Sequence, residues 1–495
     1  MEISILSWIL CATIITNILI LLIGYSFLYF LPNNEEFTPL KRFSLSYGLG
    51  VGLLSFSMLI FILFGLHSRI SFIPILAISS FLFIYFKIYK VFKNDIKEIL
   101  NLIRKPKLKL NTLEYFSIII IIIEIFYLIS TSLIYPVYIW DSAVIWDAKA
   151  RYLFYDGNFN YLNYTIVHPD YPPLVPLVLT SFYSLFFQPH HFIQLFFVTI
   201  FICMIIFLYY SLRHFKLNRT YSLLISSMIA LVYEIYSASH FVGGDLLVAF
   251  YYTISTIFLC EYIFSRRKQF LIYSSIFMGF MALSKNEGFG LLIVNVGVLV
   301  LYQILFCIKK EIKFKEMIIL IILFAGIGLM IYVPWLVLIS INNVGSAYLS
   351  NILNIFIIQN TINKLIDIIT FILLQFLWIP FLILFFTVII INIRTIYYEK
   401  LFFLVVLMIS HLLLYILVYL ITPYDLIWQL GTSIQRELMH LTPFAGFILG
   451  VVLIHIKNFD LEYKKENNSY QKIFLYISII AIIFFVINSI IFNNL

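Results

Sequence analysis

The segment 140–151, WDSAVIWDAKAR, sets two aspartates, a lysine and an arginine around two tryptophans. Side chains of these types can do two things together. A carboxylate can take the proton of a hydroxyl, and ammonium or guanidinium groups can hold an anion such as a phosphate. Four more segments carry groups of the same kind. His168 and Asp170 fall in HPDYPPLVP (168–176), Asp245 in GGDLLVAFYY (243–252), Lys285 and Glu287 in ALSKNEGFG (282–290), and Arg436 in IQRELMHLTP (434–443).

Each candidate also has a purely structural reading. Asp147 and Arg151 are four apart and can pair on a helix surface. Asp245 can cap the helix that follows it. Lys285 can bridge to Glu287 or extend toward water, and Arg436 can pair with Glu437. The four prolines of 168–176 forbid regular helix and favour a rigid extended loop. Trp140 and Trp146 suit a helix lying in a membrane interface. Of the two aspartates in 140–151, Asp141 is the candidate base and Asp147 the candidate ion-pair partner. His190 and His191 read as interfacial, and no metal site is expected.

The elements that hold these residues are membrane helices. Of the 495 residues 63% are hydrophobic and only 11% charged, where a soluble chain would carry about 25% charged residues. Mean hydropathy is +1.03, which marks an all-α polytopic membrane protein. The first apolar run, 3–31, is too long for a signal-peptide core and reads as a retained helix. Further runs fall at 45–66, 70–90, 115–135, 191–212, 220–236, 245–264, 270–283, 288–308, 317–340, 365–391, 401–421, 437–455 and 473–492. About 14 spans are thus expected. The run 270–283 is too short to cross the full bilayer core. The run 173–188, broken by Pro176, is expected to lie along the surface. Cys11, Cys203, Cys260 and Cys307 sit in apolar runs and form no disulfide or metal pattern.

Alternate loops collect the basic residues. The segments 32–44, 86–112, 213–219, 265–269, 308–316, 392–400 and 456–472 hold 26 of the 32 lysines and arginines. The positive-inside rule places these loops in the cytoplasm. The +8 net charge then reflects topology, with room for anionic-lipid contact, and no nucleic-acid partner is implied. The same rule puts 136–190, 237–245, 341–364 and 422–436 on the non-cytoplasmic side, with both termini. The candidate residues would converge in a polar cavity under these outer loops.

The ordered set of segments resembles the GT-C superfamily of polytopic glycosyltransferases. The similarity is greatest to the branch of aminoarabinose lipid A transferases and protein O-mannosyltransferases. The resemblance rests on WDSAVIWDAKA in the first large outer loop, HPDYPPLVP after it, GGDLLVAFYY opening a later span, LSKNEGFG, and YVPW (332–335), in that order over roughly 115–340. LIWQLGTSIQRELMHLTP looks like a later segment of bacterial relatives. The chain departs from the pattern in carrying a lone Asp141 where an acidic pair is usual, and in placing two residues between Lys285 and Gly288.

The resemblance implies sugar transfer from a polyprenyl phosphate to an acceptor hydroxyl of a glycan, lipid or protein, outside a cell (inner or plasma) membrane. Asp141 and Asp245 would be catalytic. Lys149, Arg151, His168, Lys285, Glu287 and Arg436 would bind substrate and phosphate. No cofactor is expected, and no ligand spacing supports a divalent cation. The division implied is an N-terminal membrane segment (1–112), a catalytic core (113–345) and C-terminal helices (346–495). A transporter or flippase of lipid-linked saccharides would need a comparable cavity, but also pseudo-repeated halves, which the sequence lacks. A polymerase of such saccharides would more often carry one large late loop.

Overall fold

The computed structural model describes residues 2–104, 110–164, 166–345, 358–398 and 401–462. No strand occurs among them, and the chain is an all-α polytopic membrane protein. Among the described residues nine helices are long and apolar enough to cross a bilayer, or eleven if each of two bent helix pairs counts as one span. They include α1 (Glu2–Leu28), α2 (Pro39–Leu63), α5 (Thr112–Ile134), α8 (Gln194–His214), α11 (Asp245–Ser265), α13 (Asn286–Ile308) and α14 (Phe314–Ile341). The remaining two are Phe402–Leu420 and the longer helix Leu426–Glu462.

The expected count of about 14 departs from this for identifiable reasons. The run 70–90 is not one straight helix. It forms α3 (Ile73–Tyr85), and the chain then turns by 83° into α4 (Ile88–Arg104). The run 365–391 likewise falls on Ile358–Trp378 and Pro380–Ile391, bent by 101° before Pro380. The run 220–236 divides into α9 (Arg219–Ala230) and α10 (Tyr233–Ala238). The run 270–283 is α12 (Lys268–Ser284), whose 17 residues rise only about 26 Å. The expected span 473–492 lies outside the described residues.

The segment expected along the surface rather than across the bilayer folds as the short helix α7 (Leu174–Phe186), which is not among the spanning helices, and all but one of its 13 side chains are buried in the protein. It packs against α1, α2, α12 and the helix α6 (Ala148–Asp156). Its hydroxyl-bearing residues Thr180, Ser181, Tyr183 and Ser184 are buried with hydrogen-bond partners, as buried polar groups must be. Thr180 shows the fit: its hydroxyl lies 2.7 Å from the Pro176 carbonyl and 3.2 Å from that of Ala150 on α6.

The chain divides into two compact units. One contains Met1–Leu110, Ile125–Phe207 and Ala238–Gly345. The helices before residue 110 therefore belong to the same unit as the loop 136–190 and α11–α14. In this unit α1 packs along α2, with Gly24 and Gly50 set where a side chain would overlap the facing backbone. The other unit contains Asn111–Glu124, Leu208–Ser237 and Ser346–Leu495. Within it, Arg219 Nη2 lies 2.6 Å from Glu114 Oε2, and the helix Leu426–Glu462 packs on α9.

Candidate functional site

The first unit gathers five of the predicted segments. The stretch 140–151, expected as ordinary helix, begins as a π-helical turn, Asp141–Asp147, and continues into α6. Widened turns of this kind re-aim side chains and recur at functional sites. Asp141, half-buried, opens the turn, and Asp147 closes it. Asp147 is buried and accepts from Arg151 Nε at 2.8 Å and from the Tyr183 hydroxyl. The predicted four-residue pair therefore exists, with Arg151 half in solvent and committed to Asp147. The two tryptophans differ. Trp140 is 59% exposed, as an interfacial residue should be, whereas Trp146 is 3% exposed and belongs to the core.

Trp146 is buried because GGD leaves room for it. A Cβ on Gly244 would lie 2.8 Å from the indole Cη2 and 3.1 Å from the Ser284 carbonyl oxygen. The absent side chain lets the tryptophan lie against the start of α11, where Asp245 is the first helical residue. Asp245 thus abuts the turn opened by Asp141.

Lys285 breaks α12 from α13 in an extended conformation, φ −163° and ψ 158°. This break aims its side chain away from both helix ladders. Gly288 keeps the helices close, since a Cβ there would overlap the Met281 carbonyl. Lys285 is buried, and its Nζ lies 2.8 Å from Asp245 Oδ1 and 2.9 Å from Glu287 Oε1. The bridge to Glu287 was readable from spacing; the bridge to Asp245 was not. Asp245 serves as the carboxylate partner of Lys285, and no side-chain cap stands at the head of α11. Glu287 Oε2 is buried and takes no hydrogen bond among the described residues.

The proline-rich loop closes over this cluster. Asn286 Nδ2 donates to Asp170 Oδ2 at 2.6 Å, and the indole nitrogen of Trp335 on α14 lies 3.4 Å from the Asp170 carbonyl. Tyr171 is the hub. Its ring stacks on His168 at 4.5 Å, meets Trp146 at 5.6 Å, and has Lys149 Nζ at 5.4 Å and Lys285 Nζ at 5.8 Å. Two ammonium groups so placed are both attracted to the ring face.

Lys149 is the more exceptional cation. It is 1% exposed and donates to the His168 carbonyl, and no carboxylate stands within ion-pair distance of it among the described residues. Burial pulls its ammonium down to about 7, against a smaller upward pull from Asp170. Burial likewise lowers the His168 imidazole from its usual range. His168 has a positive φ of 50°, which turns its carbonyl and ring within the loop.

Tyr171, Asn286 and Trp146 join the site without having been singled out for it, beside the candidate Asp170. Asp170 was legible as an acid in a proline-fixed loop; the other three carried no such signal. Arg436 belongs to the other unit, half-buried on Leu426–Glu462 beside buried Glu437. His190, expected at an interface, is instead buried against Tyr183, Phe186 and Phe192, and burial lowers its pKa to about 4. Among the described residues no group of three or more His, Cys, Asp and Glu side chains is placed to hold a metal ion.

Residues 179–350 match the family model described as dolichyl-phosphate-mannose-protein mannosyltransferase. The match spans about a third of the chain and takes in Asp245, Lys285 and Glu287 but not Asp141, Lys149, Arg151, His168 or Asp170. No curated protein and no solved structure is significantly similar to the chain. The matched segment is similar to a GT-C family, and that similarity indicates a membrane glycosyltransferase using a polyprenyl-phosphate sugar donor.

Proposed function

We propose that the protein transfers a sugar from a polyprenyl phosphate to an acceptor hydroxyl at the non-cytoplasmic face of a membrane, at the cluster around Lys285 and Tyr171. The observation that carries this reading is the buried cluster of Asp245, Lys285 and Glu287, facing Asp170, Tyr171 and Lys149 from the outer loop. A lipid-borne sugar phosphate needs both halves of such a site. Carboxylate oxygens such as Glu287 Oε2 accept the donor's sugar hydroxyls, and ammonium groups take its phosphate.

The reaction balances with this chain's own groups. The acceptor oxygen forms a bond to the anomeric carbon as the bond from that carbon to the phosphate oxygen breaks. Polyprenyl phosphate leaves with the electron pair, and the acceptor proton passes to a carboxylate. Asp141 is the proposed base, at the start of the π-helical turn and half-buried. Lys149, lacking a carboxylate partner, supplies the least compensated positive charge for the phosphate. Lys285, already shared by two carboxylates, fixes Asp245 and Glu287 in place and adds a weaker phosphate contact. Asp245 would orient the donor. Arg151 is bound to Asp147 and shapes the loop.

The test is a donor screen. Purified protein in lipid vesicles should release polyprenyl phosphate from one or more polyprenyl-phosphate sugars in the presence of a hydroxyl acceptor, and Lys149→Met should abolish most of it. Vesicles that move the lipid-linked sugar between leaflets without cleaving it would instead identify a flippase.

A further inference from the structure

The helix α4 takes no part in the cluster. It follows α3 after the 83° turn, at Lys87, whose φ is 55°. At 100° per residue its sequence, IYKVFKNDIKEILNLIR, divides into three stripes. Ile88, Phe92, Asp95 and Ile99 face the protein. Ile88 and Asp95 are buried, and α4 packs on α2 and α3. Asp95 receives Arg42 Nη1 at 2.8 and 2.6 Å and the Tyr25 hydroxyl. This buried clamp fixes the rotation of the helix.

With rotation fixed, the other two stripes point outward. One is apolar: Tyr89, Ile96 and Leu100 are 44%, 36% and 43% exposed. The stripe beside it holds Lys90, Lys93, Lys97 and Arg104, all exposed, and none is in an ion pair among the described residues. A helix with six charged residues in 17 does not cross a bilayer. A helix in water gains nothing from an ordered apolar stripe. The pair of stripes fits a helix in the plane of the interface, with its apolar side among acyl chains and its cations at the phosphate level.

We propose that α4 is a lipid-binding helix whose row Lys90, Lys93, Lys97 and Arg104 binds the headgroups of anionic phospholipids. The occupant is the phosphate of a net-negative headgroup, because the row is purely cationic and the neighbouring stripe requires acyl chains. The clamp to Arg42 and Tyr25 couples any headgroup bound there to the packing of α1 and α2.

The experiment uses the full chain in phosphatidylcholine nanodiscs carrying trace spin-labelled phosphatidylglycerol or spin-labelled phosphatidylcholine. Electron paramagnetic resonance reports the immobilised fraction of each. The wild type should hold phosphatidylglycerol several-fold over phosphatidylcholine, at about fivefold per cation at most. K90Q/K93Q/K97Q/R104Q should lose the preference, while K90R/K93R/K97R and the remote K309Q/K310Q should keep it. Thermal melts of each variant should match the wild type in phosphatidylcholine, since all the altered side chains are exposed. Absence of a preference in the wild type, or its survival in the glutamine variant, would overturn the assignment.

Discussion

Lys285 Nζ lies 2.8 Å from Asp245 Oδ1, a buried bridge between residues 40 apart that pins the break between α12 and α13 to the head of α11. Breaking a buried pair from one side costs about 3–5 kcal/mol, because a charge is left uncompensated. Lys285→Ala strands two carboxylates and should lower the melting temperature clearly. Asp245→Asn in the same chain should recover much of the loss without restoring sugar transfer. If Lys285→Ala melted like wild type, the bridge would have no structural weight.

The segment 140–151 offers two aspartates with different surroundings. Asp147 is enclosed by Arg151 and Tyr183, so Asp147→Asn should show mainly as lost thermal stability. Asp141→Asn should leave stability intact and reduce turnover at least about a hundredfold, the scale of general-base loss. Steady-state rates and melts of both variants separate the roles. An active Asp141→Asn beside a dead Asp147→Asn would exchange them.

Lys149 makes stability depend on pH in a defined direction. Its ammonium is held near 7 in the fold but titrates at about 10.4 in an unfolded chain. Between those values the unfolded state binds more protons, so stability rises as pH increases from about 7 to about 10. The difference in melting temperature between wild type and Lys149→Met should change over that window and level off outside it. Binding of polyprenyl phosphate, which needs the protonated form, should weaken over the same window. A difference flat with pH would place the Lys149 titration elsewhere.

Gly244 tests the contact beneath the site. Alanine there would press its Cβ against Trp146 and the Ser284 carbonyl, both within 3.1 Å. Overpacking of this kind costs about 1–3 kcal/mol. Gly244→Ala should therefore reduce both stability and transfer, and Gly244→Ala with Trp146→Phe should regain part of each. Gly243→Ala, whose Cβ would meet Trp146 only at 3.9 Å, should be nearly silent.

Sidedness is checked by single cysteines. Asn158, exposed just after α6, should react with an impermeant thiol reagent in intact cells, and Asn101 on α4 should not. Labelling at Asn101 alone would invert the topology inferred from the basic loops.

The sequence by itself determined the class of the protein. Long apolar runs leave backbone groups no partner but their own helix, so an all-α membrane fold follows from composition and length. It also made two local pairs legible: Asp147 with Arg151, four apart on a helix, and Lys285 with Glu287, two apart across the helix break. Tertiary structure alone decided the rest. Whether α7 lay on a surface or inside, and whether Trp146 faced lipid or Gly244, depended on which apolar faces met, and apolar faces are interchangeable in sequence. Bends at 83° and 101° likewise broke runs that hydropathy reads as continuous, because hydropathy has no direction. The joining of Asp245 to Lys285, of Asp170 to Asn286, and of both lysines to Tyr171 spans between 22 and 116 positions of chain. Contacts across such separations are fixed by helix packing, and no periodicity records them.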